Sequence, residues 1–139
     1  MKPSRLQLIF DPRGTKTAFL LLSMAAQVAW VLAFFSIIDS LVLRMGESLN
    51  GVDTTLMLGI FLGEAVIGYF ISSLAKDRRG MTYGVYGGLA ALLVIVLMTW
   101  RSGLLALLVG LMAVLGGYNG GFLAEMMRIS RQRQQQGRR

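Results

Sequence analysis

The chain contains no histidine and no cysteine, and charged residues make up only 15% of it. Disulfides, zinc, haem or iron–sulfur sites held by these side chains, and histidine acid–base chemistry are therefore excluded. Catalytic triads that need histidine or cysteine are excluded for the same reason. The three lysines lie in no recognisable motif with a serine. The sequence predicts a protein that is not an enzyme and that has no cofactor and no metal site.

Apolar residues are abundant instead, at 55% of the 139 residues. A soluble domain has about 45–50% apolar and about 25% charged residues. A soluble fold of this length has too little interior to bury such an excess. The composition therefore predicts a membrane protein with a single domain, whose main surroundings are the lipid bilayer.

Four apolar segments are long enough to cross a hydrocarbon core of about 30 Å, which takes about 20 residues of helix. They cover residues 18–38, 54–75, 81–100 and 104–127. Because a backbone in lipid has to satisfy its own hydrogen bonds, each segment is expected to be a helix. The predicted fold class is an all-α integral membrane protein, with a four-helix transmembrane bundle over residues 18–127. The three residues that separate the last two segments predict a tight antiparallel hairpin.

Basic residues are distributed unevenly along the chain. Twelve of the fourteen lie before the first segment, between the second and third, or after the fourth, whereas the other two loops hold only Arg44 and Arg101. The positive-inside rule then predicts that both termini are cytoplasmic, in a multi-pass plasma-membrane protein. The net charge of +7 is thus attributed to topology rather than to nucleic-acid binding.

Two segments flank the predicted bundle. Residues 1–17 form an arm with an apolar cluster, which is expected either to lie on the cytoplasmic membrane face or to be a docked terminus. Residues 128–139 form a basic cytoplasmic tail, which is expected to attract anionic lipid headgroups.

Glycines recur four residues apart in three of the segments, which places them on one helix face. The pairs are Gly59 and Gly63, Gly84 and Gly88, Gly116 and Gly120, and Gly117 and Gly121, and Gly110 shares a face with Gly117. The first segment has Ala25, Ala29 and Ala33 at the same spacing. Such faces let helix backbones approach closely, either inside the bundle or against a second copy or another membrane protein.

Three polar side chains are predicted at membrane depth. Glu64 lies near the middle of the second segment. It is either a proton- or cation-handling carboxylate, or a protonated acid that donates a hydrogen bond to a neighbouring helix. Gln27 and Asn119 are predicted to point away from the small-residue faces of their own helices. Either those faces do not meet inside the bundle, or the two amides bond to a partner chain.

Three motifs give the layout a family resemblance. They are a glycine-containing second segment with a basic turn (LGIFLGEAVIGYFISSLAKDRRG), a small-residue start of the third (YGVYGGLAALL) and a glycine-rich fourth (VGLMAVLGGYNGG). Together they resemble small four-span bacterial membrane proteins of the YrzE type, whose function is not established. The resemblance implies a bacterial plasma-membrane protein and transfers no catalytic residue.

Two functions follow from these features. The first is a non-enzymatic accessory or structural subunit that packs against a membrane partner or against itself. The second is a small oligomeric transporter or channel in which Glu64 handles protons or cations. The two differ in whether Glu64 faces water or protein.

Overall fold

A computed structural model describes residues 14–45 and 52–136 of the chain. This part is helical, with α1 at Thr17–Met45, α2 at Val52–Ala75, α3 at Gly80–Met98 and α4 at Leu104–Gln136. All four helices are long and apolar enough to cross a membrane. The prediction of an all-α fold with four such helices is confirmed. Most of the N-terminal arm, at residues 1–13, and the end of the tail, at residues 137–139, lie outside the described residues.

Two helices extend well past the C-terminal ends of the predicted segments. α1 continues to Met45, and α4 continues to Gln136. The 33 residues of α4 span about 50 Å at about 1.5 Å per residue, well beyond a core of about 30 Å. Residues 128–136, predicted as a basic tail, are therefore an exposed helical extension of α4. The reason is local, because arginine and glutamine favour helix and no glycine or proline interrupts the run before Gly137.

The two described connections are short turns. α2 ends at Ala75, followed by Lys76 in the left-handed region with φ of +55°. The Asp77 carboxylate then accepts a hydrogen bond from the backbone N–H of Arg79 at 3.1 Å. Between α3 and α4, a single 3₁₀ turn at Trp100–Ser102 leads into Gly103, which has φ of +53° and ψ of −115°. Glycine suits this position because it adopts positive φ without steric cost.

The helices pack as two antiparallel hairpins. α4 lies against both α2 and α3, whereas α1 packs on α2 and α3 and has no close backbone approach to α4. We use "terminal end" for the end of the bundle where α1 begins and α2 ends, and "opposite end" for the other. At the terminal end, the side chain of Lys16 donates a hydrogen bond to the carbonyl oxygen of Ala75 at 2.8 Å.

The interior changes character along the bundle axis. Towards the opposite end it is an apolar cluster, which consists of Val31, Phe35, Ile60, Ala91, Ile95, Val109 and Ala113. Large apolar side chains such as Leu21, Leu62 and Leu93 are exposed on the outside. This arrangement suits a bundle surrounded by lipid, where apolar side chains gain nothing by turning inward.

Candidate functional site

The closest helix contact joins α3 and α4 through glycine. A Cβ atom at Gly84 would overlap the backbone carbonyl of Gly117, and one at Gly117 would overlap that of Gly84. One turn further towards the terminal end, Gly80 and Gly121 meet in the same way. At Gly88 a Cβ would lie 2.6 Å from Cα of Val114. Backbones can approach this closely only where at least one of the two helices has no side chain at the point of contact.

The same segment of α4 also contacts α2. A Cβ at Gly116 would overlap the carbonyl of Phe61, and one at Gly120 would overlap that of Ala65. α4 is therefore held between two helices by adjacent glycine rows, Gly116 and Gly120 towards α2, and Gly117 and Gly121 towards α3. Gly110, on the same face as Gly117, contacts the side chain of Leu92 rather than backbone.

The pair Gly59 and Gly63 has a different role from the other pairs. Phe34 of α1 fills the space at Gly59, and Trp30 fills the space at Gly63. The two aromatic rings are stacked, with centroids 5.5 Å apart. Here glycine makes room for large side chains and not for a helix backbone.

Three glycines outside the predicted pairs also take part. Gly80 faces Gly121, Gly68 faces Gly117, and Gly87 faces the amide of Gln27. Gly80 lies four residues before Gly84, and this spacing could have identified it as a packing residue from the sequence. No comparable signal marks Gly87, because its neighbour belongs to another helix.

Gln27 is fully buried inside the bundle. Its amide nitrogen donates to the hydroxyl of Ser23 at 3.0 Å, and Ser23 donates to the backbone carbonyl of Tyr83 at 2.8 Å. Of the two alternatives for Gln27, the structure therefore shows the first, in which the small-residue face of α1 does not point into the bundle. The physical reason is that α1 turns its polar and β-branched face inward and leaves Ala25, Ala29 and Ala33 exposed.

Asn119 is partly buried, and its amide nitrogen donates to the carbonyl of Leu115 on its own helix at 2.8 Å. Such a bond one turn back satisfies a polar group in an apolar environment without help from another element. A contact between Asn119 and a second chain stays a prediction.

Glu64 lies on the buried side of α2, with none of its surface exposed. A Cβ at Gly116 of α4 would lie 2.9 Å from Cβ of Glu64. Neither carboxylate oxygen has a hydrogen-bond partner in the described part of the chain, and the same holds for Oε1 of Gln27 and Nε1 of Trp30. Unpartnered buried polar atoms are rare in proteins, and each one calls for a physical explanation.

A polar network closes the terminal end. The backbone N–H of Lys16 donates to the hydroxyl of Tyr83 at 2.8 Å, and that hydroxyl donates to the carboxylate of Asp77. Arg128 of α4 donates to the backbone carbonyl of Asp77. These bonds join α1, the turn after α2, α3 and α4.

Glu125 of α4 also belongs to this end. Its carboxylate accepts the backbone N–H of Met81 at 3.2 Å. A carboxylate at this place satisfies a free N–H in the first turn of α3 and complements the helix dipole.

Within the residues that the structure describes, no three acidic side chains lie together as a metal site would require. The buried polar atoms without a partner in the described interior belong to one carboxylate (Glu64), one amide (Gln27) and one indole (Trp30).

No family model, no curated protein and no solved structure matches this chain. The resemblance to proteins of the YrzE type stays a prediction.

Proposed function

We propose that this protein is a non-enzymatic accessory or structural subunit of a membrane, and that it packs α1 against a helix of a membrane partner or of a second copy. Both termini are proposed to be cytoplasmic at the plasma membrane, with the basic extension of α4 near anionic lipid headgroups.

One observation carries this proposal. The glycine faces of α3 and α4 are used for contacts within the chain, whereas Ala25, Ala29 and Ala33 of α1 are exposed. Small residues four apart form a smooth face, on which another helix packs closely. In the part of the chain that the structure describes, α1 thus carries a small-residue face that no other helix covers.

The interior supports a packing role more than a conducting one. Glu64 faces protein, and the glycine rows beside it hold α4 against backbone atoms of α2 and α3. A water-filled route along this side of α4 would require the helices to separate. The transporter alternative therefore has less support from the geometry than the accessory role.

The exposed alanine face is tested by enlarging it. Ala29→Ile places a branched side chain at the centre of the face, so a neighbouring helix has to move outward. We expect the wild-type protein, extracted in gentle detergent, to migrate in blue-native electrophoresis well above its 15.2 kDa chain mass. The variant is expected to migrate closer to the size of the single chain.

The matched control is Val66→Phe, which adds similar bulk at an exposed position of α2. It should migrate like wild type. If wild type and both variants all behave as single chains, in gentle detergent and in nanodiscs alike, the accessory role is wrong.

A further inference from the structure

Glu64 and Gln27 lie in one layer of the bundle. A Cβ at Gly116 would meet Glu64, and a Cβ at the next residue, Gly117, would lie 3.0 Å from Oε1 of Gln27. Trp30, one turn along α1 from Gln27, occupies the space beside Gly63, the neighbour of Glu64. The layer holds three buried oxygens that have no hydrogen-bond partner in the described part of the chain, two from Glu64 and one from Gln27.

This donor set suits a proton better than a metal ion. Magnesium and calcium take about six to eight oxygen ligands, and the layer offers three. A proton needs a single acceptor, and the carboxylic acid that it forms can donate to an amide oxygen. Neutralisation also removes the large cost of keeping an ionised carboxylate away from water.

Among the buried residues that the structure describes, the polar side chains outside this layer lie between it and the terminal end. Between the layer and the terminal end, the buried side chains include Ser23, Ser72, Thr82 and Tyr83. Between the layer and the opposite end lies the apolar cluster, whose nearest members are Val31 and Ile60. A proton or a water molecule therefore finds hydrogen-bonding groups towards the terminal end and none towards the opposite end within that cluster.

The other titratable groups near this layer are tyrosines and one glutamate. α1 has none between Lys16 and Asp39. Those on the other helices nearest to the layer are Tyr69 on α2, Tyr83 and Tyr86 on α3, and Tyr118 and Glu125 on α4. The hydroxyl of Tyr83 bonds to Asp77, and Glu125 accepts the N–H of Met81, both at the terminal end.

We propose that Glu64 is a proton-binding site inside the bundle, and that it exchanges its proton with water at the terminal end. Protonation forms an O–H bond on one carboxylate oxygen and makes a donor available to Oε1 of Gln27. Release leaves the carboxylate anion and transfers the proton to water at the terminal end. This site goes beyond the accessory role, which does not require it.

The test measures the protonated carboxyl directly. In phosphatidylcholine vesicles, infrared spectroscopy resolves the carbonyl stretch of a neutral carboxylic acid. We expect a band in the wild type that is missing in Glu64→Gln, a variant of the same shape that cannot ionise. The band should fade as the pH is raised and return when the pH is lowered.

The control is Asp53→Asn, which removes an exposed acid from the same helix and should retain the band. Circular dichroism reports whether the helices persist at each pH. The proposal is overturned if no Glu64-dependent band exists at any pH at which the protein is folded. It is also overturned if the band persists at every such pH, because the carboxyl group is then permanently neutral.

The route is tested by the rate at which the band fades after a jump to higher pH. Ser23→Ala removes the hydroxyl that Gln27 contacts, and we expect fading to slow about tenfold, the effect of one lost hydrogen bond on a barrier. Ser36→Ala is the matched control, because that hydroxyl is exposed and bonds to Leu32 of its own helix. Equal rates in all three proteins would overturn exchange through the terminal end.

Discussion

Gly117 contacts each of the other three helices. The carbonyl oxygen of Gly117 lies 2.8 Å from the position that a Cβ atom of Gly68 on α2 would occupy. A Cβ atom on Gly117 itself would overlap the carbonyl of Gly84 on α3, and it would lie 3.0 Å from Oε1 of Gln27 on α1. A side chain here would overlap the backbone of Gly84, which cannot move without its helix. At the scale of single residues, Gly117 is therefore one of the positions where close packing of the bundle requires glycine.

Gly117→Ala tests this dependence. Alanine favours helix by about 1 kcal/mol over glycine, but overpacking against a fixed backbone costs about 1–3 kcal/mol. We expect a lower free energy of unfolding for this variant in detergent micelles. Gly110→Ala is the control, since its Cβ meets only the flexible side chain of Leu92 at 2.9 Å. Equal stabilities for the two variants would contradict the role of Gly117.

At the scale of elements, the helix ends at the terminal end are joined by side chains that satisfy backbone groups. Tyr83 on α3 links the start of α1 to the turn after α2, through Lys16 and Asp77. Arg128 and Glu125 link α4 to the same turn and to the start of α3. Because helix ends leave backbone groups without partners, these bonds determine where α1 begins and how α3 enters the bundle.

Tyr83→Phe removes the hydroxyl at the centre of this network. It leaves an N–H of Lys16 and an oxygen of Asp77 without their partner, so we expect a loss of about 1–3 kcal/mol in the free energy of unfolding. Tyr118→Phe is the control, because that ring stacks on Phe122 with centroids 6.3 Å apart and keeps this contact without its hydroxyl. Thermal unfolding followed by circular dichroism measures both. If Tyr83→Phe unfolds at the wild-type temperature, the network does not stabilise the fold.

At the scale of the whole molecule, the basic residues and the polar part of the interior lie at the same end of the bundle. The terminal end carries most of the basic residues that the structure describes, the hydrogen-bonded turn and the polar part of the interior, whereas the opposite end has an apolar core. If the terminal end faces the cytoplasm, as the positive-inside rule predicts, Glu64 exchanges protons with the cytoplasm and not with the outside.

The absence of native cysteine makes the orientation easy to measure. A cysteine in place of Ser48, which lies between α1 and α2 in the sequence, should react with an impermeant maleimide on intact cells. A cysteine in place of Gln134, which is exposed on the extension of α4, should react only after lysis. Asp77 is a poorer reporter position because its side chain is part of the hydrogen-bonded turn. The reverse labelling pattern would show that both termini are outside.

The sequence by itself determined the number of helices, their approximate bounds, the short α3–α4 turn and which glycines share a helix face. These follow from run length, polarity and four-residue spacing, which are local properties of the chain. Only the tertiary structure decided that Gln27 points inward, that Gly59 and Gly63 receive aromatic rings, and that Glu64 shares a layer with Gln27. Spacing on one helix shows which residues share a face. It does not show which neighbour that face meets, since lipid rewards no particular side of an apolar helix and packing between helices makes that choice.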